Sequence, residues 1–338
     1  MQFKRVAVDT SKSVFTIHAV DNDEHPVVRR DLSRSQFQTF FSKLPPTVVV
    51  LEATGGSHHW GRLLSSMGHE VKLIPPQYVK PFVKRSKNDR NDAEAISEAA
   101  SRPNMRFVPL KSAEMQADGI ELNSRQILVE QRTALVNSLR GHAAEFGVVA
   151  AKGLHRVEKL LEVIEASLDV PPTAKTALAQ LGKQIAYLDS QLEEIDRRLV
   201  TQQKSHPVAQ LLSAVPGIGA ISSLTLALQV DPKQFKSGRH FSAWLGLTPK
   251  QHSSGGKHRL GGISRAGHER IRQLLVVGAM AVVRHAVNGS KAATSWLLSL
   301  LERRPRKLAA VALANKMARI AWAMMMNGEE YRHPARTA

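Results

Sequence analysis

The chain has 338 residues, room for two or three domains, and its 43% hydrophobic content is enough to fill real cores. Its formal net charge is +18, and the stretch from Lys233 to Ala338, with 19 Lys and Arg against four Asp and Glu, holds +15 of it. Cysteine is absent, which excludes disulfides, cysteine–zinc sites and thiol nucleophiles and fits a reducing cytoplasm. A basic surplus of this kind predicts a polyanion partner, DNA or RNA; a solvated basic surface or a membrane-facing patch are the competing readings. Met1–Val8 carries early charges in a strand pattern, so no signal peptide is expected. The longest apolar run, Leu274–Val283, is ten residues and ends at Arg284, too short to span a bilayer, so no membrane partner is expected.

Residues 1 to about 110 read as α/β. The β-branched run Phe3–Val8 predicts a buried strand ending at Asp9, and Val14–Val20 follows closely enough to form a hairpin with it. Val27–Leu32 supplies a third strand. Ser33 is an N-cap for a helix over Gln36–Leu44, which Pro45-Pro46 stops. Thr47–Leu51 predicts a strand ending at Glu52, Gly55-Gly56 a turn, Trp60–Met67 a helix and Val71–Ile74 another strand. A helix from about Asp92 to Ala100 closes the unit. Hairpin, third strand, then alternating helix and strand is the order of a ribonuclease-H-like fold.

The middle, about 112–205, is helical and polar, with helices near Ile127–Leu139 and Leu154–Leu168. Leu178, Leu181, Ile185, Leu188, Leu192, Ile195 and Leu199 alternate steps of three and four, a heptad seam over three heptads. An intramolecular helical hairpin and a dimerising coiled coil both satisfy this stripe. From about 206 the pattern changes. Ala214–Ser222 contains Pro216-Gly217-Ile218-Gly219 and resembles a helix-hairpin-helix element, in which Gly217 and Gly219 would let backbone N–H groups approach a phosphate. Leu247–Arg259 predicts a flexible, basic, hydroxyl-bearing loop. Two apolar helical stretches follow, Ile271–Val287 and Leu308–Met326.

Asp9 and Glu52 end strands, and Asp89 and Asp92 share a face at the start of a helix, being three residues apart. Carboxylates so placed converge on one point and suit Mg²⁺, or Mn²⁺ in its place. Two such ions about 4 Å apart would clamp the attacking and leaving oxygens of a phosphodiester. In the basic loop, Lys250, Lys257 and Arg259 would hold a phosphodiester beside the hydroxyls of Ser253 and Ser254, and Arg265 adds a further cation. No Ser-His-Asp arrangement is readable. His252 and His258 read as phosphate or solvent contacts. His58-His59 and His240 lack metal-ligand spacing, and Met324–Met326 with Trp322 read as core or interface.

Together these motifs resemble one family. Its markers are Val6–Lys12, Leu51–Gly55, Lys87–Ala93, Val215–Gly219 and Phe241–Pro249. The chain resembles, over nearly its whole length, the insertion-sequence transposases with an N-terminal RuvC-like DEDD domain and a C-terminal serine-bearing domain. These are the insertion-sequence one-ten group of bridge- or seeker-RNA-guided recombinases, and the one-eleven-eleven branch is the most similar. The resemblance implies a RuvC-like catalytic domain over 1–110, a coiled-coil and oligomerisation region over 111–205, and a C-terminal transposase domain over 206–338. It places the DEDD tetrad on Asp9, Glu52, Asp89 and Asp92. The nucleophilic serine falls on Ser254, before Gly255, with Ser253 adjoining. It further implies Mg²⁺ on the tetrad, a covalent phosphoserine–DNA intermediate, donor and target DNA as substrates, and a structured guide RNA encoded beside the gene. A homo-oligomer is implied too, dimer or tetramer in the synaptic complex, with a composite active site, at a cytoplasmic, nucleoid-associated address. A metal-dependent nuclease or junction resolvase with no covalent intermediate, and a non-catalytic nucleic-acid scaffold, are the alternatives.

Overall fold

The computed structural model describes residues 3–84, 89–151, 153–252, 259–288 and 294–332. Two compact units divide the chain, 1–117 and 118–338.

The first unit is a mixed α/β sheet. Strands β1 (Arg5–Thr10), β2 (Val14–Val20) and β3 (Pro26–Ser33) form an antiparallel meander, and β4 (Val48–Glu52) and β5 (Glu70–Ile74) add in parallel, giving the order β3-β2-β1-β4-β5. Every strand and helix expected here is present. Helix α1 (Arg34–Ser42) starts at Ser33 through a capping box: the Gln36 N–H donates to Ser33 Oγ, and the Ser33 N–H donates to Gln36 Oε1. Helices α2 (Ser57–Ser66), the short α3 (Pro76–Val79) and α4 (Asp89–Ala100) complete the unit.

Strand alternation sorts the side chains into two layers. Val6, Val8, Phe15, Ile17, Val49, Leu51 and Leu73 bury against Phe37 and Phe41 of α1 and Trp60 and Leu64 of α2. Phe15 meets Phe37 and Trp60 edge-on, with centroids 4.8 Å apart in each pair. The opposite face, Ala7, Val50 and Ile74, packs on Ala95, Ile96 and Ala99 of α4. Arg5, on that face, donates from Nε to the carbonyl and hydroxyl of Ser97, tying α4 to the sheet.

Among the described residues the second unit is helical apart from one small hairpin. Helix α5 (Ala113–Ala144), within which the division between units falls, is far longer than the expected Ile127–Leu139. It was hard to see because few of its apolar residues are buried; its fit to α7 (Pro172–Ser205) rests partly on charge. Glu121, Arg125 and Arg132 pair with Arg198, Asp196 and Asp189, so the two helices run antiparallel. Helix α6 (Val157–Ala166) packs beside them.

This arrangement decides between the two readings of the heptad stripe. Leu178 and Ile185 bury against Val136 and Leu139 of α5 and Leu160 and Ile164 of α6. Ile195 and Leu199 bury against Leu122 of α5 and against Ala209, Leu224 and Leu228 of α8 (Pro207–Ser213) and α9 (Ala220–Gln229). The seam is consumed inside one chain, so the expectation of a dimerising coiled coil along it is corrected to an intramolecular helical packing.

The last core gathers α10 (Gly238–Trp244), α11 (Glu269–Val287), α12 (Ser295–Arg303) and α13 (Arg306–Asn327). Helix α13, 22 residues long, contains an 18-residue window of mean hydropathy 1.2 and is long and apolar enough to cross a membrane, which the run-length reading overlooked. Its alanines 309, 310, 314, 318 and 321, with Met317 and Met324, are buried among the other helices, as in a core helix.

Candidate active site

The sheet brings the predicted carboxylates to one place. Asp9 lies two residues beyond Ala7 and Glu52 two beyond Val50, so both project to the α4 face at the carboxyl ends of neighbouring parallel strands. Crevices at that end of an open sheet are where α/β proteins bind ligands. Asp89 and Asp92 occupy the first turn of α4. Carboxylate oxygens of Asp9, Asp89 and Asp92 all lie within 4.8 Å of one another. Glu52 falls outside that tight group, but Asp92 is close enough to raise its pKa, after burial, which is the larger cause.

Asp9 registers the crowding most strongly. Burial comes first, then the charges of Asp89, Asp92 and Glu52, and together they push its pKa up to about 6 from an ordinary 3.8. A set of oxygen donors that repel one another in a half-buried crevice fits a hard divalent cation, which would relieve that repulsion. A second acidic group, Asp21, Asp23 and His25, is a different feature. There the Asp21 carboxylate already accepts the N–H groups of Asp23 and His25 in the β2–β3 turn, which accounts for the cluster structurally.

The sequence reading missed a polar row that continues from the site. Asp9 pairs directly with Thr16, and Thr16 with Asp31. Thr16 Oγ1 donates to Asp31 at 2.9 Å, and Arg90, beside Asp89, donates to the other Asp31 oxygen at 3.3 Å. Asp31 thus links the meander to the first turn of α4. Once the tight turn at residues 11–13 fixes the hairpin register, Thr16 must oppose Asp9; that was the signal available. Nearby, Glu94 of α4 pairs with Lys84 and Arg29, and burial lowers the pKa of His18 between these elements.

In the second unit, Pro249–Gln251 (β6) and Leu260–Ile263 (β7) pair antiparallel, so the arms of the expected flexible loop form a hairpin. Lys250, Arg259 and Arg265 are exposed on or beside it. Ser253, Ser254 and Lys257 lie outside the described residues. The base of the hairpin is held firmly: the backbone of Ala266 presses on Gly246, Gly267 packs on the Trp244 carbonyl, and buried Arg272 donates to the carbonyls of Leu245 and Ala266. The non-glycine Arg265 takes φ +55° in this turn.

Gly217 and Gly219 part company. Gly219 is exposed at the N-cap of α9. Gly217, at φ +90°, instead lets its turn press on α11, where a Cβ on Gly278 would lie 1.8 Å from the Gly217 oxygen. Its glycine requirement is therefore explained by packing.

Comparison with known proteins supplies the family. The transposase family DEDD_Tnp_IS110 matches residues 6–147, and the family described as transposase IS116/IS110/IS902 matches residues 209–295. The chain is 52% identical to the y4pF/y4sB protein of Sinorhizobium fredii, described as a transposase, over 98% of this chain and 86% of that one. It is 40% identical to the transposase for insertion sequence element IS1111A of Coxiella burnetii, over 97% of this chain and 91% of that one. It is 38% identical to the transposase for insertion sequence element IS1328 of Yersinia enterocolitica, over 96% and 97%. The chain belongs to the IS110/IS116 family of DEDD transposases. It is therefore an enzyme of DNA cleavage and rejoining, and its family implies a divalent metal.

Proposed function

We propose that this transposase exchanges DNA strands through a covalent phosphoserine intermediate, under the guidance of a structured RNA encoded with its element. The observation that carries the reading is the convergence of Asp9, Asp89 and Asp92, with Glu52 beside them, at the carboxyl ends of β1 and β4. These four side chains would hold Mg²⁺ or Mn²⁺ in a ribonuclease-H-like (RuvC-like) domain over 1–110. When bound, two such ions would neutralise the carboxylates and offset charge on a phosphodiester.

Ser254 is assigned as nucleophile. Its Oγ–P bond forms as one P–O ester bond to deoxyribose breaks, while the serine proton leaves and the departing sugar oxygen takes one up. One phosphodiester replaces another, so the broken strand is kept and rejoining needs no external energy source. Lys250, Lys257, Arg259 and Arg265 would hold phosphates around the hairpin, and the start of α9 at exposed Gly219 would contact backbone phosphate. Residues 111–205 would serve assembly into a dimer or tetramer, through surfaces other than the buried heptad seam, and 206–338 would form the serine-bearing transposase domain acting at the nucleoid.

A nicked suicide substrate tests the nucleophile. The expected outcome is a covalent DNA adduct mapping to Ser254, lost in Ser254→Ala with DNA and RNA binding kept. An adduct that persists there but disappears in Ser253→Ala reassigns the nucleophile by one residue. If no adduct forms at all, a hydrolytic metal nuclease replaces this mechanism. Recombination that proceeds at full rate without the element's noncoding RNA refutes the guide.

A further inference from the structure

A second feature suited to nucleic acid lies in the same unit as the hairpin. Helices α12 and α13, the start of α10 and the β6–β7 hairpin enclose an open groove of about 1480 Å³. That exceeds the roughly 300–1,000 Å³ of small-molecule sites. Among the described residues its ionisable lining side chains are Arg239, Arg304, Lys316 and Arg319, all basic, with no carboxylate. Among the described residues, Arg239, Arg304 and Arg319 have no ion-pair partner, and all three are exposed. Two tryptophans, Trp296 and Trp322, also line it, with leucine and valine side chains between. Lys316 Nζ sits 4.3 Å from the centre of the Trp296 ring. The hairpin wall includes Gly261 and Gly262, and the space beside Gly262 is open.

Cations along a trough with aromatic rings in its lining are what an unpaired strand needs: the cations track phosphates and the rings take bases by stacking. A duplex keeps its base faces hidden, so the tryptophans would gain nothing from it. A folded protein partner would need acids spaced along the whole trough, whereas a strand brings a phosphate with every nucleotide. We propose that this groove binds a single-stranded segment of the DNA being exchanged and leads it to the β6–β7 hairpin. The choice of DNA over RNA rests on the reading of Ser254 as nucleophile, because that hairpin carries Ser254 and its substrate is DNA.

Fluorescence anisotropy with labelled oligothymidylate, performed on the full-length protein in the Ser254→Ala background, tests this. Arg304→Gln/Arg319→Gln is expected to weaken binding at least tenfold and to reduce the slope of log affinity against log salt by about 1.4, since each single-strand phosphate contact contributes about 0.7. Oligothymidylate is expected to quench tryptophan emission, and the Trp296→Phe/Trp322→Phe variant to lose that quenching while Trp60 and Trp244 remain. Unchanged affinity and slope in the arginine variant overturn the groove. Tighter binding of oligouridylate or duplex than of oligothymidylate, by tenfold or more, overturns the single-stranded DNA assignment. A changed oligomeric mass with unchanged oligonucleotide affinity makes the groove a protein interface and overturns it also. Failure to trap an adduct on wild-type protein, with groove binding intact, refutes the nucleophile and leaves the groove standing.

Discussion

Replacing Asp9 by Asn should stabilise the metal-free protein while removing its response to metal. The folded-state pKa of Asp9, about 6, lies above its ordinary 3.8. The folded protein therefore keeps a proton there, between pH about 4 and 6, that the unfolded chain has released. Relative stability from this group is fully present below pH about 4 and is lost as pH rises through 6. A shift of about two units corresponds to about 3 kcal/mol, and solvent screening at this half-exposed position lowers the cost to about 1–2 kcal/mol. Asn keeps the shape without the charge, so at pH 7.5 in EDTA its melting transition should lie several degrees above wild type. At pH 4 the two should coincide, because wild-type Asp9 is then neutral in the fold. Adding Mg²⁺ or Mn²⁺ should reverse the order: at 100-fold over Kd a cation stabilises the wild type by about 2.7 kcal/mol, and the variant by much less. Differential scanning calorimetry across that pH and metal grid is the assay. If Asp9→Asn melts lower than wild type at pH 7.5 in EDTA, the carboxylate is held by favourable contacts and the argument from mutual repulsion fails.

Other perturbations probe the rest of the chain. Alanine at Asp9, Glu52, Asp89 and Asp92 together should abolish strand exchange but leave the circular dichroism spectrum intact; normal recombination by that variant would remove the metal site. Leu199→Ala, in the seam between α5, α7 and α9, should cost about 2–5 kcal/mol in urea unfolding without changing the sedimentation mass, whereas a drop in mass would restore the intermolecular coiled coil. Gly278→Ala should cost about 1–3 kcal/mol by driving a methyl into the Gly217 carbonyl; a neutral effect would mean the α8–α9 turn moves freely off α11. Nucleic-acid affinity should fall steeply between low and physiological salt, as counterion release from a +15 segment requires, and a flat titration would deny the basic third a phosphate-binding role.

The first unit was readable because its signals are short-range. Strand cores such as Val6-Ala7-Val8 and Val49-Val50-Leu51 have one partner layer on each face, so hydrophobic runs mark them directly. Their ends are marked by charge, and the parity that buries Ala7 and Val50 under α4 also carries Asp9 and Glu52 to that same face. Asp31 escaped because its role depends on β3, whose side chains are mostly exposed and give no alternation to fix its register. The heptad stripe was legible as a stripe, but periodicity records only that a face is covered. It cannot say whether the cover comes from α5, α6 and α9 of the same chain or from another copy.

The glycine positions show the deeper reason for what the sequence withheld. Pro216-Gly217-Ile218-Gly219 signals a tight turn, and two roles compete for its glycines: phosphate approach and close packing. A substrate-facing glycine and a packing glycine are the same letter, and only the facing surface separates them. For Gly217 that surface is Gly278, sixty-one residues later in the middle of an apolar helix, where a lone glycine reads as a minor helix defect. The two are complementary halves of one backbone contact: Gly278 can take no side chain because the Gly217 carbonyl occupies the space, and Gly217 supplies the positive φ that puts the carbonyl there. Gly246 and Gly267 repeat the device at the base of the β6–β7 hairpin, where each meets backbone of the other's turn. Both contacts brace the elements next to the serine-bearing hairpin and the groove beneath it. A mobile base would let any group carried between β6 and β7 wander by more than the roughly 0.5 Å that productive geometry tolerates, so rigidity at these glycines is what the proposed serine chemistry would require of the fold.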